Sequence, residues 1–409
     1  MMSKSDMSKI CIRGLDISLL LLFIFPILPL RISGFSIIPL AVFAILNLAI
    51  TGFDKKKDES WLIFLAFLIL PIMYLSELIY TENSAYVWRE VQRKMGLIII
   101  PFLFIMIHHS RFKMNVNRYL NAFVIAVLSL VLFTLTMLIV YGVNQDYLVS
   151  GGLPFALRTT VEELVGLHPT YLGIVVAFSA IVLVERLSGR VKENCFGFIQ
   201  AMQVLAIMLM SGFLFLIAAR IVILAYILVL MVLAIKGTKS LKWRFGIVSI
   251  VGISSLVALF TVPIISDRMM EFFDSSPNST NVRTMIYGCS WGVISEHWFF
   301  GVGVERLQPL LDTCYRQFQG VTSKSYFQYN THNEFLNILC AKGISGLMVF
   351  AGLLTLLFRQ AKGNGLAIAF LLLFGVTCIT ENLLERQIGV FFFSVFGSLF
   401  GIVQIDRKK

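Results

Sequence analysis

Three side chains from distant parts of the sequence are of the types that could share one reaction: Arg220, Arg283 and His332. Guanidinium forks bind phosphate oxygens bidentately, and a neutral imidazole can take a proton from an attacking hydroxyl. The stretch around the histidine reads THNEFLNILCAKGISG from Thr331 to Gly346 and leads into a long apolar run. Thr331 followed three residues later by Glu334 has the form of a capping box, which predicts a helix with His332 as its first residue. At that position the positive end of the helix dipole disfavours imidazolium and leaves the ring able to accept a proton. Taken alone, a histidine at a capped helix start is more often structural, so the rest of the chain has to bring these groups together.

The elements that must position them are membrane helices. The chain has 409 residues, 58% of them apolar and 14% charged, with a mean hydropathy of +0.85. That is too apolar for a soluble domain and too poor in charge to coat one. Apolar runs of roughly 20 residues, enough to cross a hydrocarbon core of about 30 Å as helix, recur along nearly the whole length. Strand alternation is absent, which argues against a barrel. The net charge of +11 lies in short clusters between apolar runs rather than on one face, so it marks topology and calls for no nucleic acid. The six cysteines show no metal-ligand spacing and no metal site is expected; Cys289 and Cys314 share one loop, where a disulfide is left open. No small-residue cleavage site follows the first apolar run, which reads as a span rather than a signal peptide.

Twelve spans are expected, at 16–33, 34–52, 61–79, 95–108, 119–141, 168–185, 195–217, 220–236, 245–265, 343–358, 364–380 and 387–405. Starting inside, this threading puts 21 of the 34 basic residues in short cytoplasmic loops and both termini in the cytoplasm. The expected fold is therefore an all-α, polytopic integral membrane protein. It divides into helices one to nine at 1–265, a large outer loop with short helices at 266–342, and the last three helices with a cytoplasmic tail at 343–409. Arg220, Arg283 and His332 all fall on the outer face of a topology derived without them.

Several other outer residues are candidates for holding substrate. Residues 86–94 form an amphipathic segment before the fourth span, where Arg89, Arg93 and Lys94 could hold a phosphate or simply snorkel at the membrane surface. Arg220 is the one charge in some 40 apolar or weakly polar residues, where a charge costs at least about 2.5–3.5 kcal/mol at the bilayer centre unless it faces a cavity and a partner. The bland alternative is an interfacial arginine that marks a turn. Arg283 sits near the start of an expected amphipathic helix capped by Ser279 or Thr280, with Met285, Ile286 and Trp291 on its apolar side. His168 precedes Pro169 at a helix start, a placement more often structural than catalytic. Glu381 and Glu385 lie in the last outer loop, where either could orient the imidazole or hold a sugar hydroxyl, although Glu385 and Arg386 could neutralise one another.

His332-Asn333, nine residues, Gly343, two residues and Gly346 resemble the His-Asn-x9-Gly-xx-Gly signature of bacterial O-antigen ligases. Ala218-Ala219-Arg220-Ile221 is similar to the small-residue-then-arginine element of that family, although members often carry Ser before and Gly after the arginine. His297-Trp-Phe-Phe-Gly-Val-Gly303 resembles the loop that follows the family's second arginine. The resemblance implies a glycosyltransferase-C-like fold, His332, Arg283 and Arg220 as catalytic residues and Asn333 beside them. It implies an undecaprenyl-diphosphate-linked glycan donor, a lipid A-core acceptor, surrounding membrane lipids, no cofactor, and a site on the periplasmic side of the bacterial inner membrane. The chemistry fits: charge grows on the diphosphate leaving group as the glycosyl bond breaks, and arginines in a partly dehydrated cavity stabilise it. Direct displacement would invert the anomeric centre. An O-antigen or exopolysaccharide polymerase or a protein O-oligosaccharyltransferase would use the same donor, and a lipid-linked sugar transporter would also want outer arginines, although no internal repeat supports transport.

Overall fold

The computed structural model describes residues 4–28, 30–54, 59–190, 197–217, 219–237, 279–317 and 328–403. All regular structure among them is helical, built as α1 Lys4–Phe23, α2 Leu30–Ser33, α3 Ile37–Thr51, α4 Ser60–Leu75, α5 Ser84–Lys94, α6 Gly96–His108, α7 Val116–Tyr141 and α8 Gln145–Val165. The second half contains α9 Pro169–Arg190, α10 Phe198–Leu216, α11 Arg220–Gly237, α12 Ser279–His297, α13 Val304–Arg316, α14 Glu334–Gln360, α15 Gly365–Thr377 and α16 Gln387–Gly401, with 3-10 turns that include Ser76–Ile79 and Leu383–Glu385.

Seven helical stretches among the described residues are long and apolar enough to cross a membrane: Gly34–Thr51, Ser60–Ile79, Ser84–His108, Val116–Tyr141, Pro169–Ser188, Phe198–Leu216 and Glu334–Gln360. Three shorter apolar helices, Arg220–Ala234, Gly365–Thr377 and Gln387–Gly401, accompany them. The protein is thus a polytopic helical membrane protein, with fewer full-length spans among the described residues than the twelve expected of the chain. The expected span 245–265 lies outside the described residues. The first expected span, 16–33, is displaced: its helix starts at Lys4 and ends at Phe23, where Pro26 enters a 3-10 turn. The segment between the fifth and sixth expected spans folds as α8, which the apolar pattern did not suggest.

The bundle is built around α16, whose residues from Ile388 to Gly401 are all buried. A helix that is apolar on every side belongs at the centre of such a bundle. Phe178 of α9 packs edge-on against Phe392, Phe396 and Phe400 of α16 and Phe370 of α15, and tilted against Phe123 of α7. Without a hydrophobic force between helices in lipid, such interlocking contacts supply the van der Waals attraction that holds them together. The N-termini of α9, α14 and α16 and the C-terminus of α15 meet at one end of this core, and the candidate site is there.

Candidate active site

His332 lies on a loop rather than on the first turn of a helix. Asn333 is the N-cap of α14, accepting the Leu336 N–H on its side chain at 3.1 Å, and helical residues begin at Glu334. The expected Thr331 cap is displaced because its hydroxyl is used elsewhere: it donates to the Asn333 carbonyl at 3.0 Å and accepts from Asn382 Nδ2 at 3.1 Å. His332 takes a left-handed backbone conformation, φ +43°, with its N–H bonded to Asn330 Oδ1 at 3.0 Å. Such backbone strain in a non-glycine residue persists only where surrounding bonds over-determine it, and it clusters at functional sites.

Those surrounding bonds tie the His332 loop to the last interhelical loop. The Glu334 carboxylate, fully buried, accepts the Leu384 N–H at 2.8 Å, and the Glu334 N–H donates to the Cys378 carbonyl at 2.9 Å. Asn337 Nδ2 donates to Glu385 Oε1 at 2.8 Å, and the Tyr171 hydroxyl donates to the Asn382 carbonyl at 2.6 Å. Glu334 thus serves this seam rather than a capping box. The seam fixes Glu381 against His332.

Glu381 is the meeting point of the site. Its Oε2 stands 3.8 Å from His332 Nδ1, its Oε1 stands 3.9 Å from Arg283 Nη2, and Thr170 Oγ1 donates to Oε1 at 3.4 Å. Burial works to raise the Glu381 carboxyl, but its interactions with His332 and the Arg283 guanidinium outweigh it and hold it below its usual value. A carboxylate facing Nδ1 favours the neutral tautomer with its proton there, so that Nε2 accepts. The Glu381 side chain is 12% exposed, against 29% for His332 and 37% for Arg283, so the site is enclosed around the carboxylate and open at the histidine and arginine.

Arg283 reaches this point from the second turn of α12. Its helix follows the expected start at Ser279, but Trp291, expected on the buried side, is 64% exposed, whereas Ile286 is fully buried. Cys289 of α12 and Cys314 of α13 form a disulfide. Arg220 is the first residue of α11, and the turn before it packs on α9: a Cβ at Gly173 would stand 3.1 Å from the Ala219 Cβ. Gly173 lies one turn beyond Thr170, so the Arg220 helix start is at the same end of the bundle as Glu381.

The remaining candidates separate. His168 joins the site's wall: Arg158 Nη2 meets its Nε2 at 2.9 Å, and burial and then the Arg158 charge lower the ring to about 4. It is a neutral structural partner of α8 rather than a free base. Lys94 is fully buried, 3.5 Å from Glu385 Oε1, 3.8 Å from Glu90 Oε2 and 4.3 Å from the Tyr74 ring centre, so it is not available to a phosphate. Its pairing also removes Glu385 from the expected neutralisation by Arg386. Arg93 is paired with Glu90, and Arg89 is exposed with its Nε toward the Ala85 carbonyl at 3.4 Å. Sequence reasoning overlooked Arg158, because the apolar pattern left α8 as loop, and Thr170, which carries no motif of its own.

The two glycines that follow the histidine have a geometric cause in Gly343. There the φ is +65° and ψ −165°, so α14 breaks and frees the carbonyls of Cys340 and Ala341. The Val302 and Gly303 N–H groups take them at 2.9 Å each, while the Ile344 N–H donates to the Trp298 carbonyl at 2.8 Å. A Cβ at Gly343 would lie 2.1 Å from the Phe299 carbonyl oxygen. The break lets the loop 297–303 lie directly against the helix that His332 precedes.

A multi-pass helical bundle with a histidine, a carboxylate and an arginine converging at one end defines the class. Residues 205–351 match the model of the O-antigen ligase family. The match takes in Arg220, Arg283, His332, Asn333, Gly343 and Gly346, but stops short of Glu381. Glycosyl transfer of the O-antigen ligase and polymerase type, with a lipid-linked glycan and a lipid acceptor as its general substrates, is what that family supports. No curated protein matches the chain.

Proposed function

We propose that this protein is an O-antigen ligase that moves a glycan from an undecaprenyl-diphosphate donor onto a sugar hydroxyl of lipid A-core at the periplasmic face of the inner membrane. The observation that carries this reading is the shared carboxylate, Glu381, between His332 and Arg283. His332 Nε2 removes the proton of the acceptor hydroxyl as its oxygen attacks the anomeric carbon. The bond from that carbon to the diphosphate oxygen breaks, and Arg283 and Arg220 stabilise the charge that collects on the leaving group. Attack opposite the leaving group inverts the anomeric centre, and the reading calls for no metal and no cofactor. At 3.8 Å the His332–Glu381 contact is longer than a hydrogen bond, and such contacts shorten when substrate binds. The Cys289–Cys314 disulfide supports an oxidising, extracytoplasmic location for α12 and α13.

Lipopolysaccharide from a deletion strain tests the acceptor. Loss of all attached O-antigen, with accumulation of long polyprenyl-linked chains, is the expected result. Lipid A-core capped by single repeats would instead identify a polymerase. Transfer by the purified protein in nanodiscs, with no membrane gradient, separates the enzyme from a transporter.

A further inference from the structure

The 3-10 turn at the end of α4 carries Glu77, a carboxylate that is 2% exposed. Its two oxygens accept the backbone N–H of Val304, the first residue of α13, at 3.2 and 2.9 Å. The same carboxylate is ion-paired with Lys342, the residue before the break in α14. The Lys342 ammonium also donates to the Met73 carbonyl at 2.6 Å and lies 4.4 Å from the Tyr74 ring centre. Gly303, φ +80°, has no side chain to hold the carboxylate away; a Cβ there would stand 3.2 Å from Glu77 Oε2. One buried carboxylate therefore joins the end of a membrane helix, the start of α13 and the helix that His332 precedes.

The path from there to the site is short and covalent in part. Helix α12, which carries Arg283, packs on α13 and is linked to it by the Cys289–Cys314 disulfide. Helix α12 also packs directly on α14, where the Cys340 thiol donates to the Ser290 carbonyl at 3.5 Å and the Tyr287 hydroxyl to the His332 carbonyl at 3.4 Å. Burying an ion pair gains little stability over an apolar contact of the same size, because desolvation offsets the attraction. What it adds here is direction: the Val304 N–H shared by both carboxylate oxygens and the Lys342 ammonium join the Val302 and Gly303 backbone bonds in setting the position of α13 along α14.

We infer that Glu77 and Lys342 are positioning residues that hold the α12–α13 pair, and with it the Arg283 guanidinium, in register with His332 and Glu381. The inference rests on the reading of Arg283 and His332 as reacting residues. The Tyr74 ring beneath both Lys94 and Lys342 extends the same buried network to Glu385 on the seam that fixes Glu381. Both halves of the site are thus referred to one polar layer.

A double-mutant cycle of Glu77→Gln with Arg283→Lys, on detergent-purified monodisperse protein with a polyprenyl-diphosphate glycan and lipid A-core, is the test. In the wild-type background Glu77→Gln is expected to lower kcat about tenfold with little change in donor KM, and in the Arg283→Lys background less than about threefold, because the register it sets has already lost its fork. Equal loss in both backgrounds, or loss of folded protein with unchanged kcat in the remainder, overturns the positioning role. Should Glu77→Gln fail to accumulate, Gly303→Ala, which keeps both charges and crowds the carboxylate, enters the same cycle with the same criteria. A separate outcome, Arg283→Lys indistinguishable from wild type, removes Arg283 from the reaction and takes the inference with it.

Discussion

His332 Nδ1 faces Glu381 Oε2 at 3.8 Å although two membrane helices lie between them in the sequence, and the seam of Thr331, Glu334 and Asn337 against residues 382–385 holds them there. A carboxylate on that side of the ring favours the tautomer with its proton on Nδ1. Glu381→Gln should therefore do more than remove a charge, because an amide can present its own N–H to Nδ1 and move the imidazole proton to Nε2. Transfer by purified protein is expected to fall about 10²–10⁴-fold with the fold intact. A wild-type rate for this variant would end the orienting role.

Arg283→Ala and Arg220→Ala should each lose transfer while retaining expression. A charge-assisted contact is worth about 1.5–3 kcal/mol, roughly 10–150-fold in rate. Lysine at either position should restore only part of it, since a point charge does not reproduce a planar fork. Initial rates at fixed donor concentration check this, and full activity in both lysine variants would rule out bidentate diphosphate recognition.

His168 gives the protein a pH dependence of stability separate from its chemistry. Its folded value of about 4 lies below the usual 6.5, so between those values the unfolded chain binds a proton that the folded chain does not. Stability from this group is present above pH 6.5 and is lost as pH falls toward 4, by at most about 1.4 kcal/mol per pH unit. Thermal unfolding in detergent should show a slope that flattens in His168→Asn over that window. An unchanged slope would mean that the ring near Arg158 is not held neutral.

Gly343→Ala tests the geometry beneath the glycine signature. Its Cβ would meet the Phe299 carbonyl oxygen at 2.1 Å on a backbone with φ +65°, and neither main chain has room to yield. A loss of at least a few kcal/mol is expected, read as a lowered Tm and poor accumulation in the membrane. A variant as stable as wild type would show that α14 can close its break.

The helical membrane class and the convergence of Arg283 with His332 were legible in the sequence, because hydropathy and basic clusters report on the bilayer independently of any site. Local bonding was less legible. Thr331 and Glu334 have the letters of a capping box, but both are taken by the loop 381–386, a long-range competition that no local pattern records. Lys94 read as a surface cation because its neighbours in sequence are polar, whereas its partners Glu385 and Tyr74 come from elsewhere in the chain. Glu381 had only its outer-loop position to recommend it, and its central place depends on the packing of α9, α12 and α14 around one carboxylate.

The most direct test of the account is His332→Ala in purified, folded protein, with donor binding and transfer measured separately. The proposed mechanism gives His332 no part in donor binding, so binding should be retained while transfer falls about 10²–10⁴-fold. A folded His332→Ala protein that transfers glycan at close to the wild-type rate would contradict the account and leave the strained histidine as a structural turn beside Asn333.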